Sequence, residues 1–238
     1  MGTAVALAGL ALPLTACGSS GGARPAAGAT PPAVRVAASP SATPDGRLDG
    51  LSQRWLAKIP AQTRQVVVAY GDGVDAATGK VTLYQKTGSR WIAEASWDSH
   101  NGRRGWTPAH HENDLRSPEG VFTLTDAGGV LPDPGSKLPY HQDPAFTPPA
   151  SWGASHRHDF DYVIAIDYNR VQGSSPLDAR RPQGESKGGG IWLHLDPGKG
   201  SSACVTLPKA AVKQLLRTLD PAQHPVVVMG DRADLAKA

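Results

Sequence analysis

Short runs of β-branched and aromatic residues, each stopped by a Gly-rich turn, recur along this chain and constrain its fold more than any other feature. Residues 65–70 read QVVVAY, 80–86 read KVTLYQK and 90–97 read RWIAEASW, with GDGVDAATG and TGS between them. Runs of this kind, bounded by Gly, Asp and Ser, are strands joined by turns. In the third run Trp91, Ala93, Ala95 and Trp97 alternate with Ile92, Glu94, Ser96 and Asp98, a period of two that gives a sheet two different faces. VFTLT from Val121, DYVIAIDY from Asp161, GIWLHLD from Gly190, ACVTL from Ala203 and PVVVMG from Pro225 supply further strands. Between ACVTL and PVVVMG lies a helix. Pro208 suits its first turn, Val212, Leu215, Leu216 and Leu219 form an apolar stripe, and Asp220 with Pro221 ends it. About seven or eight short strands with one helix predict a mainly β sandwich or barrel carrying the helix on one side.

The chain opens MGTAVALAGLALPLTACGSS, an apolar run of signal-peptide length that is too short for a comfortable transmembrane helix. Leu14, Thr15, Ala16 and Cys17 resemble a bacterial lipoprotein box, in which the cysteine is lipidated; a plain cleaved signal is the alternative. No Lys or Arg precedes the run. Residues 18–46 are mostly Ala, Gly, Pro, Ser and Thr and bury too little to offset ordering entropy, so they read as a linker. Leu51, Trp55, Leu56 and Ile59 stand at helical spacing and predict a short helix that Pro60 closes. The expected organisation is a signal over 1–17, a disordered linker and lead-in over 18–64, and a folded domain over 65–238. With 24 Lys and Arg against 21 Asp and Glu, scattered along the chain, the basic stripe of a nucleic-acid binder is missing.

If Cys17 carries lipid, Cys204 is the single remaining thiol in a compartment where thiols usually pair. Its open readings are a buried small hydrophobe, a disulfide to Cys17, and a nucleophile. For the last, a nearby imidazole takes the thiol proton and gives a thiolate–imidazolium pair. His194 lies on the predicted strand IWLHL, sharing a face with Trp192, and Cys204 follows after the turn DPGKGSS. The small residues Ser201, Ser202 and Ala203 leave backbone N–H groups accessible for an oxyanion hole.

At these residues the chain resembles the L,D-transpeptidase family, the YkuD-type cysteine enzymes of peptidoglycan. The family's His, spacer, Ser or Thr, variable residue, Gly, Cys and Val or Ile stand here as HLDPGKGSSACV, from His194 to Val205. SPEGVF from Ser117 is similar to its Thr-Pro-x-Gly-x-Phe turn, and FDYVIAIDYNR from Phe160 and HNGRRG from His100 are similar to stretches of an actinobacterial branch. The resemblance spans roughly Val66 to Gly230. It implies Cys204 as acylated nucleophile, His194 as base, Ser201 at the site border, and peptidoglycan stem peptides as partners; Trp192 and Tyr140 are further candidates for substrate contact. No cofactor is implied, and the expected protein is a monomer held by lipid on Cys17 and facing the cell wall. Stem-peptide carboxypeptidase activity and an impaired wall-binding lipoprotein are the alternatives. Ala203 replaces a Gly of the family, Ser202 a frequent second His, and Thr206 a frequent Arg.

Other residues invite functional readings. HRHDFD, from His156 to Asp161, looks ligand-like, but no HExxH spacing accompanies it and no metal is expected. Trp97, Trp106, Trp152 and Trp192 serve either the core or substrate stacking. Asp167 is placed to orient His194 or to cap the turn at Asn169. The Pro-rich stretch 127–155 has low periodicity and length enough for a lid over the acyl-donor groove.

Overall fold

The computed structural model describes Ser41, Ala42 and residues 46–238; the signal ending at Cys17 and most of the linker lie outside the described residues. The strands in chain order are β1 (Ser41–Ala42), β2 (Gln65–Gly71), β3 (Thr78–Thr87), β4 (Arg90–His100), β5 (Trp106–Thr107), β6 (Ser117–Pro118) and β7 (Gly120–Thr123). They continue with β8 (Ala127–Gly129), β9 (Tyr140–Gln142), β10 (Val163–Ala165), β11 (Trp192–Leu195), β12 (Val205–Leu207) and β13 (Val226–Asp231). The helices are α1 (Gln53–Leu56), α2 (Lys209–Thr218) and α3 (Arg232–Ala236). One mixed sheet runs β7-β13-β2-β3-β4-β12-β11-β10-β8-β9, with β1 on β4, while β5 and β6 pair separately.

This long sheet folds over on itself. Val67 and Ala69 of β2 and Val227 and Met229 of β13 meet Leu193 and Leu195 of β11, Val205 and Leu207 of β12 and the α2 stripe in one core. The alternate residues Val66, Val68, Tyr70, Val226 and Val228 enter a second core with Leu48, Trp55 and Leu235. Burial on both faces explains why QVVVAY and VVVM are continuous apolar runs instead of alternating ones. The result is the expected mainly β sandwich, with α2 against β10 and β11. Residues 46–64 pack on the second core, with Leu48 and Trp55 buried there.

Three sequence expectations are corrected. The period of two along β4 is interrupted, because Leu83 pairs with Ala95 while Tyr84 pairs with Ala93. Glu94 is the extra residue of a β-bulge, and a bulge reverses which side chains face inward. Trp97 therefore packs on the first core, and Ala93 and Trp91 on the second. The strand over 161–168 pairs only at Val163–Ala165, since a tight Tyr168 N–H to Ile166 carbonyl bond folds its end away. The stretch 127–155 contains β8 and β9, paired in parallel at the sheet edge.

Candidate active site

Strands β11 and β12 are parallel, with Leu193 opposite Val205, His194 opposite Thr206 and Leu195 opposite Leu207. The leucines and Val205 fill the core, so alternation turns Trp192, His194, Cys204 and Thr206 to the opposite face. Trp192, His194 and Cys204 there line a cavity of about 640 Å³.

The loop before Cys204 is held from three sides. Ser201 donates its hydroxyl to the Cys204 carbonyl at 2.6 Å and its N–H to the Asn101 carbonyl at 2.9 Å, while Arg103 N–H donates to the Ser201 carbonyl at 2.8 Å. Ser117 Oγ donates to the Ala203 carbonyl at 2.6 Å and accepts from Gly102 N–H at 2.9 Å. A Cβ on Gly102 would stand 2.6 Å from Ser117 N and 2.7 Å from Leu115 O, so only glycine permits this approach. The stretches HNGRRG and SPEGVF thus meet at the cysteine loop and fix its backbone.

The thiol makes its hydrogen bonds to β11 and the residue chain before it. Cys204 Sγ accepts from Trp192 N–H at 3.4 Å and donates to the Gly190 carbonyl at 3.6 Å. Burial pushes the thiol pKa up to about 11. Burial also lowers the His194 imidazole to about 4, against smaller opposing contributions from the Leu195 and Asp159 backbone. Both shifts favour the neutral groups near pH 7 over the expected thiolate–imidazolium pair, because desolvation is the largest cause of each. No hydrogen bond joins His194 to Cys204 among the described residues. His194 Nδ1 lies 2.9 Å from the Leu195 carbonyl, which can only accept, so Nδ1 carries the proton and Nε2 the lone pair.

An aromatic wall closes one side. Phe160 meets the His194 ring edge-on at 4.9 Å and Trp192 at 5.1 Å. Trp152, 51% exposed, stands 6.1 Å from Phe160 and lines the cavity. Of the stretch 127–155, Trp152 alone lines the cavity wall.

Other sequence candidates fall elsewhere. Tyr140 donates its hydroxyl to the Leu131 carbonyl at 2.8 Å, packs on the core and does not line the cavity. Trp106 is buried and Trp97 is packed on the same core. Asp167 touches neither His194 nor the cavity; it pairs with Arg170 and accepts from Thr123 and Thr125, with Asp126 on the same guanidinium at 3.0 Å. Its carboxyl pKa is raised by burial. His156 and His158 each pair with the aspartate three residues on, Asp159 at 2.6 Å and Asp161 at 3.2 Å. Ser202 lines the cavity, whereas Ala203 is buried in the core. Left-handed φ values outside glycine occur at Asn113, Leu115, Asn169 and His224 and not at Ala203, so the alanine carries no such strain. With its N–H committed to Asn101, Ser201 cannot donate to an oxyanion. Thr206 donates to Asp196 at 3.0 Å, and Asp196 holds His100 at 2.8 Å.

Sequence reasoning overlooked the segment from Pro176 to Arg181, which forms a whole wall of the cavity, together with Arg103 and Lys199. The one signal available was the run Gly188–Gly190 just before β11, a mark of close backbone approach.

Fold and site define a mainly β protein with a half-buried thiol and a buried imidazole on neighbouring strands of one cleft. The model of the L,D-transpeptidase catalytic domain (YkuD) matches residues 57–228, and the chain belongs to that family. No curated protein matches it. Among solved structures, Bd1075 of Bdellovibrio bacteriovorus is similar at 16% identity and TM-score 0.40, over 73% of this chain and 52% of that one. A fused Zn-dependent amidase/peptidase/peptidoglycan-binding domain-containing protein of Clostridium acetobutylicum is similar at 14% identity and TM-score 0.36, over 81% of this chain and 64% of that one. The chain thus spans less than two thirds of either.

Proposed function

We propose that this protein is a peptidoglycan L,D-transpeptidase that forms cross-links between third-position residues through an acyl-enzyme on Cys204. The supporting observation is the placement of Cys204 and His194 on one face of two parallel strands, along the wall of one cavity. The substrate bond joins the L-centre of a diamino acid to a terminal D-residue. As its carbonyl reaches Cys204, the thiol proton passes to His194 Nε2 and sulfur attacks carbon. The C–N bond breaks, the imidazolium returns its proton to the departing amine, and a thioester remains. The amine of a second stem attacks the thioester, forms the new amide and gives up a proton as the thiol is regenerated. Because both groups rest neutral, the thiolate forms only as the carbonyl is attacked.

The domain acts outside the membrane in this reading, held by lipid on Cys17 and facing the wall. Incubating the purified domain with disaccharide tetrapeptides and weighing the products tests the reaction. A cross-linked dimer is expected; trimmed tripeptide alone would make the protein a carboxypeptidase, and untouched substrate would leave a wall-binding relic. Cys204→Ser is expected to abolish covalent labelling by a carbapenem with little change in melting temperature, and an adduct on another residue would overturn the assignment.

A further inference from the structure

Two carboxylates line the cavity, and both are already partnered. Asp159 pairs with His156 at 2.6 Å, and Asp178 is clasped by Arg180 through two guanidinium nitrogens. Three cations line the same walls, Arg103, Arg181 and Lys199, and none has an ion pair to a carboxylate among the described residues. The uncommitted charge of the cavity is therefore positive.

Of the three, Arg181 lies against the backbone that carries the thiol's hydrogen-bond acceptor. Its guanidinium bonds two main-chain carbonyls, Arg180 at 3.1 Å and Asp178 at 3.4 Å. A Cβ on Gly189 would meet Arg181 Nε at 2.3 Å and Cζ at 2.7 Å, so the guanidinium lies directly on that α-carbon, and a Cβ on Gly190 would stand 3.7 Å from its second terminal nitrogen. Gly190 is the residue whose carbonyl accepts the Cys204 thiol. The glycines before β11 thus bring a planar, five-donor cation against the backbone that holds the nucleophile. Arginine in such a setting recognises carboxylate in a two-pronged manner that lysine does not reproduce.

We infer that Arg181 forms a carboxylate subsite of this cavity and holds a free carboxylate of the bound peptide beside Cys204. The inference deepens the acyl-transfer reading and rests on it for the identity of the peptide. Arg103 and Lys199 also line the cavity and add attraction for the same charge. The subsite selects stems that end in a free carboxylate over those that end in a carboxamide.

Two measurements test it. The first compares alkylation of Cys204 by iodoacetate and iodoacetamide in the wild type, Arg181→Gln and Arg181→Lys. The anionic reagent is expected to gain from the subsite, with the iodoacetate to iodoacetamide rate ratio falling severalfold in Arg181→Gln and partly restored in Arg181→Lys. The second compares tetrapeptides with a C-terminal carboxylate or carboxamide. Arg181→Gln is expected to lower kcat/KM roughly tenfold or more for the acid, the scale of one charge-assisted hydrogen bond, and to leave the amide nearly unchanged. An unchanged reagent ratio, or equal losses on acid and amide, would overturn the subsite. A ratio that falls in a protein turning over neither peptide would uphold the subsite and sink the transpeptidase reading.

Discussion

A cysteine with a pKa near 11 behaves differently from a preformed thiolate, and alkylation rates expose the difference. The rate of Cys204 with iodoacetamide is expected to keep rising beyond pH 9, where an ordinary thiol, titrating near 8.5, is already levelling off. A plateau below pH 8 would instead reveal an ion pair with His194. Ala203 offers a second residue-scale measurement. Its methyl is buried and its φ lies outside the left-handed region, so Ala203→Gly removes packing and adds freedom to the unfolded chain. A loss of about 1 kcal/mol in thermal or denaturant unfolding is expected, with no gain in carbapenem acylation rate. At this scale much was legible: His194 and Cys204 announce themselves by residue type and by the turn between them. Tyr140 and Arg181 did not, because which residue reaches a cavity depends on loops whose paths carry no periodicity.

Elements bring out what single residues hide. The hydroxyl of Ser117 bridges the Gly102 amide and the Ala203 carbonyl, so the two-residue strand β6 matters through one oxygen. Ser117→Ala leaves both main-chain groups buried without that partner and is expected to cost about 1–3 kcal/mol. A drop in Cys204 acylation should accompany the drop in melting temperature, because the cysteine loop loses a support. The Arg170, Asp126 and Asp167 network anchors the start of the segment that carries Arg181. Arg170→Ala strands two buried carboxylates and is expected to destabilise by about 3–5 kcal/mol in denaturant melts. The runs QVVVAY and PVVVMG and the α2 stripe were readable because each is long or strongly patterned. The bulge at Glu94 was not, since a sequence with period two looks the same whether or not one residue is skipped.

For the whole molecule, His194 and Cys204 together set a pH window. His194 has a folded pKa near 4 against an ordinary 6.5, so the unfolded chain binds the extra proton and stability falls as pH drops from about 6.5 towards 4. Cys204, raised to about 11, has the opposite sense: the unfolded thiol ionises first and stability falls as pH climbs from about 9 towards 11. Chemical denaturation across pH is expected to show a plateau between these limits, with the alkaline decline reduced in Cys204→Ala. Outside the family match at 57–228, the two flanks of the folded unit meet each other. Ser52 N–H donates to the Leu235 carbonyl, Trp55 Nε1 to the Asp234 carbonyl, and Arg54 pairs with Asp234. These contacts close the second core, on the face of β2 and β13 turned away from the one shared with β11. The cavity lies on the outer face of β11 and β12, at the opposite side of the sandwich. Leu48 and Trp55 pack on the second core and no residue of 46–64 lines the cavity, so changes in that packing leave the cavity wall untouched.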